Sequence, residues 1–79
     1  FKGLKLAYEA AARGGNIPTA HNAANEVAVA RFLDRKIKYL DIPDIIEYAM
    51  NEVDYINNPT VEQILSTQKI VTDMIESRW

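Results

Sequence analysis

Cysteine is absent from this chain of 79 residues, and histidine occurs only once. A disulfide framework and a cysteine-based zinc site are therefore excluded, which fits a reducing cytosol. No apolar run approaches the roughly 20 residues that a membrane-spanning helix needs. A marked excess of basic residues is also missing, and a net charge of -2 gives no reason to expect nucleic-acid binding.

The residues that are present predict one small, soluble, globular domain. Hydrophobic residues make up 48% of the chain and charged residues 25%, which is typical of neither disordered nor membrane-embedded proteins. A domain of this size buries only about 60 to 65% of its unfolded surface, so its stability margin is thin. Because the chain begins at Phe1 rather than methionine, we expect residues 1–79 to be a fragment or a processed product.

The first half of the chain predicts two helices. An apolar stripe at helical spacing marks the first, which should end at the Gly14-Gly15 pair. Pro18 suits an early position in the second helix, whose pattern continues to about Asp34. The stripe of the first helix consists of Leu4, Ala7, Tyr8 and Ala11.

The second half of the chain predicts two more helices. Asp41 is well placed as the N-cap of the third, with a hydrophobic staple between Leu40 and Ile45. Thr60 and Gln63 have capping-box spacing at the start of the fourth. Each of these two helices therefore has its own start signal in the sequence.

The apolar phase of the last segment changes part-way along it. Ile64 and Leu65 do not continue into the stripe of Ile70 and Val71, so we expect a kink or break near Ser66-Thr67. The chain is thus predicted to be all-α, a four-helix bundle-like small domain whose last helix is kinked or split there. The predicted common core consists of Val29, Phe32, Leu33, Ile42, Ile45, Ile46, Ala49, Val71 and Ile75.

The run from Asn22 to Val29 places two asparagines in a helix that is apolar over most of its circumference. Other helices usually surround such a helix, so we expect Asn22 and Asn25 to lie inside or at the edge of the core. Leaving a buried amide unpaired costs about 1 to 3 kcal/mol, so both side chains should bind neighbouring backbone. The alternative is that they contact a ligand at a domain interface.

His21 is the main candidate for chemistry, with Asn22, Asn25 and Glu26 as its polar neighbours. A zinc site would need a second histidine on the same helix face, and one histidine near a glutamate is a weak signal. We therefore expect His21 to be a partly buried or helix-start residue without a chemical role. Glu26 should face solvent or reach Arg31 or a docking partner.

Two acidic pairs, Asp44 with Glu47 and Glu52 with Asp54, are candidates for binding a divalent cation. The first pair has the spacing of ordinary helix-start acids, and no glycine-bent carboxylate loop accompanies either pair. The chain also lacks a P-loop, a Gly-x-Gly-x-x-Gly motif and a signature of nucleophilic catalysis. We therefore predict no catalytic, cofactor-binding or metal-binding residue in this chain.

Five segments within about the first 45 residues follow one another in an informative order. They are Leu6-Ala7-Tyr8-Glu9-Ala10, Gly14-Gly15, the Asn22 to Val29 run, Phe32-Leu33 and Leu40-Asp41-Ile42-Pro43. In order and spacing, they resemble the carboxy-terminal helical domain of the 1-deoxy-D-xylulose 5-phosphate reductoisomerases. The resemblance implies a non-catalytic bundle from an enzyme that makes 2-C-methyl-D-erythritol 4-phosphate in isoprenoid biosynthesis.

The same resemblance implies what the parent enzyme needs. It would use NADPH and a divalent cation, Mg²⁺ or Mn²⁺, and it would form a homodimer. Its location would be the cytoplasm or, in a eukaryote, a plastid-type organelle. The partners of this chain would be the NADPH-binding and catalytic domains of the same polypeptide. Neither the glycine-rich nucleotide motif nor the Asp-Ser-Glu-His metal motif of the family occurs in this chain, so no site residue is carried over.

Two other classes of function compete with this interpretation. A freestanding helical interaction module could share the same bundle. A helix-turn-helix DNA-binding protein is disfavoured because no helix carries a basic face.

For a domain cut from a larger enzyme, we expect the first helix to carry the docking surface and to mediate self-association. The large apolar residues at the chain ends, Phe1 and Trp79, should pack onto the bundle.

Overall fold

The computed structural model describes all 79 residues and contains four helices and no strand. The helices are α1 (Lys2–Arg13), α2 (Ile17–Leu33), α3 (Asp41–Glu52) and α4 (Val61–Arg78). α2 contacts the other three helices, whereas α1 and α4 both contact α3 but not each other. No helix is both long enough and apolar enough to cross a membrane. The prediction of an all-α domain of four helices is confirmed.

Local sequence signals correctly predict three of the helix ends. α1 ends before Gly14 and Gly15, which have φ angles of 67° and 57°. Pro18 lies in the first turn of α2. At the start of α4, the Thr60 hydroxyl accepts from the Gln63 amide at 3.1 Å, and the Gln63 side chain accepts from the Thr60 amide at 2.9 Å. These signals succeed because each depends on residues within one turn.

The start of α3 differs from the prediction. Asp41 is the first helical residue, and Leu40 takes the N-cap position. The Asp41 carboxylate accepts a 2.8 Å hydrogen bond from the Lys38 amide, so it stabilises the turn before the helix rather than capping the helix. Leu40 is 77% exposed while Ile45 is fully buried, so the predicted staple does not form.

α4 is one unbroken helix, so the predicted kink near Ser66-Thr67 is wrong. Thr67 is buried and lies about one turn from both Ile64 and Val71, on the same face. Its hydroxyl accepts a 3.3 Å hydrogen bond from the Asn16 side chain. Thr67 therefore occupies a core-facing position although it is polar. A pattern that counts only apolar residues omits it, so the core-facing stripe of α4 is falsely read as interrupted.

The core lies between α2 and α3 and against the inner faces of α1 and α4. It consists of Leu6, Ala10, Ile17, Ala20, Ala23, Ala24, Ala28, Ile45, Ile46, Ala49, Met50, Val71 and Ile75. The predicted core members on α3 and α4 are confirmed, except that Ile42 is only partly buried. The predicted members on α2 are wrong, because Val29 and Leu33 are exposed and Phe32 is half-buried.

α2 buries a strip of alanines in place of its large residues. Ala20, Ala24 and Ala28, spaced four apart, are completely buried. Because three helices contact α2, small side chains on this strip allow close approach of the neighbouring backbones. The larger Phe32 packs edge-on against Tyr39, with 5.6 Å between the ring centroids, outside the buried cluster.

α1 is also rotated relative to the predicted stripe. Leu6 is buried, whereas Leu4 and Tyr8 are 59% and 70% exposed. Lys2 and Arg13 lie on the same side of the helix as Leu6 and both form polar contacts with α3. These contacts orient the Leu6 side of α1 inward, and the predicted stripe faces outward.

Candidate docking surface

The structure does not bring all the candidate chemical side chains together in one site. No group of three or more histidine, aspartate or glutamate side chains is close enough to hold a metal ion. His21 is half-buried on α2, as predicted, while Asn22, Asn25 and Glu26 are exposed. The prediction that Asn22 and Asn25 lie in or at the edge of the core and bind backbone is therefore wrong.

Asn16 has the role predicted for those asparagines. It is completely buried, and its side-chain nitrogen donates to the Asp54 carbonyl at 2.9 Å and to the Thr67 hydroxyl at 3.3 Å. Its side-chain oxygen accepts from the Ile56 amide at 2.9 Å. One side chain thus joins the α1–α2 junction to the loop before α4 and to α4 itself. No sequence pattern indicates this role, because all three partners are distant in the chain.

A lysine binds the first acidic pair. The Lys2 ammonium lies 2.7 Å from the Asp44 carboxylate and 2.9 Å from that of Glu47. Hydrogen bonds to Asp44 and then to Glu47 raise the pKa of Lys2 above its ordinary value. Since all three side chains are well exposed, solvent screens these ion pairs and they contribute little to stability. In the second pair, Glu52 with Asp54, the backbone carbonyl of Asp54 accepts a hydrogen bond from the Asn16 side chain.

Arg31 does not pair with Glu26. Its guanidinium donates a 3.2 Å hydrogen bond to the Glu76 carbonyl, near the carboxyl end of α4. Carbonyls at a helix end lack intrahelical partners, so a cation is favourable there. Its Nε atom is buried without a partner. Arg31 therefore joins α2 to the end of α4.

The two chain ends differ from each other. Trp79 packs edge-on against Tyr48, with 5.1 Å between ring centroids, and the Arg78 guanidinium lies 4.5 Å from the centre of the Tyr48 ring. The prediction for Trp79 is confirmed. Phe1 is fully exposed, so the prediction that it packs onto the bundle is wrong.

A cleft of about 470 Å³ opens between the start of α1, the middle of α2 and the start of α3; we call it the α1–α3 cleft. Its lining residues are Phe1, Lys2, Gly3, His21, Asn25, Val29, Tyr39, Leu40, Ile42, Pro43 and Ile46. Apolar side chains make up most of the wall, and Asn25 and His21 add polar atoms. Four of the apolar side chains, Phe1, Val29, Tyr39 and Leu40, are exposed. Exposed apolar surface in a concave site is typical of a place where another chain binds.

The outer face of α1 extends this apolar surface away from the cleft. Phe1, Leu4 and Tyr8 lie on one side of α1 at helical spacing, and all three are exposed. The first helix therefore does expose apolar surface. Self-association through it stays a prediction.

The comparisons with known proteins place this chain in a family. The sequence model described as DXP reductoisomerase C-terminal domain matches residues 1–74. The chain belongs to this family. The family resemblance inferred from the five sequence segments is thereby confirmed.

Relatives of this DXP reductoisomerase C-terminal domain are much longer proteins. The chain is 99% identical, over its whole length, to a 1-deoxy-D-xylulose 5-phosphate reductoisomerase of Lachnospira eligens. It is 60% identical over its whole length to the enzyme of that name from Agathobacter rectalis, and 48% identical to that from Clostridium novyi. It spans 21%, 21% and 20% of these relatives, respectively. No solved structure matches the chain.

Proposed function

We propose that residues 1–79 form the non-catalytic, carboxy-terminal helical domain of a DXP reductoisomerase. The observation that carries this proposal is the family match over residues 1–74, together with 99% identity to a reductoisomerase over the whole chain. The parent enzyme is then an oxidoreductase that converts 1-deoxy-D-xylulose 5-phosphate to 2-C-methyl-D-erythritol 4-phosphate. This reaction serves isoprenoid biosynthesis by the non-mevalonate route.

The NADPH and the divalent cation, Mg²⁺ or Mn²⁺, belong to the remainder of the parent polypeptide. A cation site needs several converging oxygen or nitrogen ligands, and this chain brings no such group together. The carboxylates of Asp44 and Glu47 both bind the Lys2 ammonium. The residues present therefore do not fit a metal centre, and no step of the reaction is assigned to them.

The contribution of this domain is structural. Its own core is complete across four helices, while its α1–α3 cleft and the outer face of α1 expose apolar side chains. Surfaces of this kind are buried when domains of one polypeptide pack together. The partners of the domain are the NADPH-binding and catalytic domains of its own chain, in a cytoplasmic homodimeric enzyme.

The test is an assay of NADPH oxidation with 1-deoxy-D-xylulose 5-phosphate and Mg²⁺ or Mn²⁺. We expect substrate-dependent oxidation by the full-length polypeptide that contains this chain, and none by the isolated chain. Turnover by the isolated chain, or none by the full-length polypeptide, would contradict the proposal. A freestanding interaction module, the alternative, would instead appear in cells as a polypeptide of about the size of this chain.

A further inference from the structure

We propose that the α1–α3 cleft binds an extended segment from the preceding part of the same polypeptide, with an apolar side chain of that segment seated in the cleft. This inference rests on the proposed function, because it takes the chain to be one domain of a longer enzyme. It goes further by naming the surface, the occupant and the chemistry of their contact.

The apolar part of the contact follows from the solvent exposure of the apolar residues at the rim of the cleft. Leu40 is 77% exposed and Tyr39 is 68% exposed, although both sit at the rim of a concave site. Ile46, deeper in the same site, is only 3% exposed. The cleft therefore has a buried apolar floor and an apolar rim that is mostly exposed to solvent. A side chain that enters from outside would remove the rim residues from water.

The polar part of the contact comes from α2. Asn25 lines the cleft and is exposed, so its amide is available to a partner. An asparagine amide carries both donors and an acceptor, which is the complement of one peptide unit with its C=O and N–H. A segment in extended conformation leaves such backbone groups unpaired. Asn25 is therefore suited to bind the backbone of the segment whose side chain fills the cleft.

The source of the segment follows from the size of the relatives. The chain spans only 21% of the reductoisomerase from Lachnospira eligens, and its family is named as the C-terminal domain. A C-terminal domain follows the rest of its protein, and Lys2 and Gly3 in the first turn of α1 line the cleft, so the preceding part of such a protein reaches the domain beside the cleft. A segment tethered this close to its site binds at high effective concentration, so even a modest contact is formed.

Photocrosslinking in the full-length polypeptide tests the occupant directly. We would place p-benzoyl-phenylalanine at position 40, in the cleft, and in a separate protein at position 61. Val61 is the matched control for Leu40, since each lies at the start of a helix and Leu40 and Val61 are 77% and 73% exposed. Val61 is not part of the cleft. Crosslinked peptides would be identified by mass spectrometry, after separation of single chains from covalent dimers.

We expect position 40 to crosslink to peptides that precede the domain in the same molecule, with a yield at least tenfold above that of position 61. Crosslinks between two molecules would show that a second copy occupies the cleft and would overturn the inference. Equal yields from the two positions would overturn it as well. The NADPH assay is independent of this result. An active enzyme without the crosslink would therefore contradict the inference about the cleft and leave the proposed function standing.

Charge substitutions give a second readout. In the full-length polypeptide, Leu40→Arg should lower the melting temperature by several degrees, because a guanidinium cannot be buried without a partner. Val61→Arg introduces the same charge at a comparably exposed helix start and should leave the melting temperature nearly unchanged. Equal effects of the two substitutions would mean that the cleft remains open to solvent in the enzyme.

Discussion

The side-chain nitrogen of Asn16 donates a 3.3 Å hydrogen bond to the hydroxyl of Thr67, and these are the two buried polar residues of the chain. The same nitrogen also donates to the Asp54 carbonyl, and the side-chain oxygen of Asn16 accepts from the Ile56 amide. Buried polar groups that are fully paired favour one arrangement of the surrounding elements. This contact thus fixes the α1–α2 junction, the loop before α4 and the middle of α4 relative to one another.

Replacing Asn16 with leucine should lower the free energy of unfolding. The substitution leaves the Ile56 amide and the Asp54 carbonyl without their partner, at a cost of about 1 to 3 kcal/mol for each group that stays buried. The matched control is Asn22→Leu, since Asn22 is exposed and its replacement should change the free energy by less than about 0.5 kcal/mol. Chemical denaturation of both variants decides the point. Equal losses would return the structural role to Asn22.

Replacement by alanine should change the stability of the chain in opposite directions at Gly3 and Gly15. Gly15 has a φ of 57°, and a Cβ there would collide with the Ile56 carbonyl and lie 2.8 Å from the Tyr55 ring. Gly15→Ala should therefore destabilise by more than the roughly 1 to 2 kcal/mol of left-handed backbone strain alone. Gly3 is helical with open space around it, so Gly3→Ala should stabilise by up to about 1 kcal/mol. Thermal melts that move in the same direction for both variants would contradict the observed geometry at Gly15.

Truncation of buried and exposed apolar residues tests the observed core. Ile45 is completely buried, so Ile45→Ala should cost about 2 to 5 kcal/mol. Leu33, which the sequence pattern had placed in the core, is 72% exposed, and Leu33→Ala should change stability by less than about 0.5 kcal/mol. Phe32 is half-buried, and its truncation should fall between these values. A large loss at Leu33 in the isolated chain would mean that α2 is rotated from its observed position.

The Lys2 ion pairs predict a weak dependence of stability on alkaline pH. The folded-state pKa of Lys2 is raised above the ordinary value of 10.5 by its hydrogen bonds to Asp44 and Glu47. The stabilisation is therefore fully present below pH 10.5 and is lost as the pH rises through the folded-state value. Lys2→Met should melt slightly lower than the parent chain at neutral pH, and the difference should vanish at strongly alkaline pH. Lys5→Met, which removes an exposed lysine of α1 that forms no ion pair, is the control. A pH-independent deficit in Lys2→Met would contradict the assignment.

Helix number and the helix ends at Gly14, Pro18 and Thr60 could be predicted from the sequence, because their causes are local. The Thr60 and Gln63 capping box and the glycines after α1 act within one turn, and the structure contains both. The start of α3 shows the limit of this reasoning. Asp41 binds the Lys38 amide in the preceding turn, and a helix N-cap and such a turn use the same residue type.

The buried face of α2 could not be predicted, because the helix offers two apolar sides. Val29 and Leu33 are larger than the alanines, so burying them promised more stabilisation, yet the alanine strip with Ala24 faces inward. Three neighbouring helices contact α2, and the space between them suits small side chains. The roles of Asn16 and Thr67 are likewise invisible to pattern analysis, since their hydrogen bond joins positions 51 residues apart.

In the proposed function, this domain supports the enzyme but supplies no reacting group. The most direct test is kcat of the full-length polypeptide with His21→Gln and Glu26→Gln, which together remove the single histidine and its nearest carboxylate in the chain. We predict a kcat within about threefold of the parent enzyme, measured on protein whose melting temperature confirms that it is folded. A loss of about 10²-fold or more in folded enzyme is the effect expected from removal of a general acid or base, and it would contradict the claim.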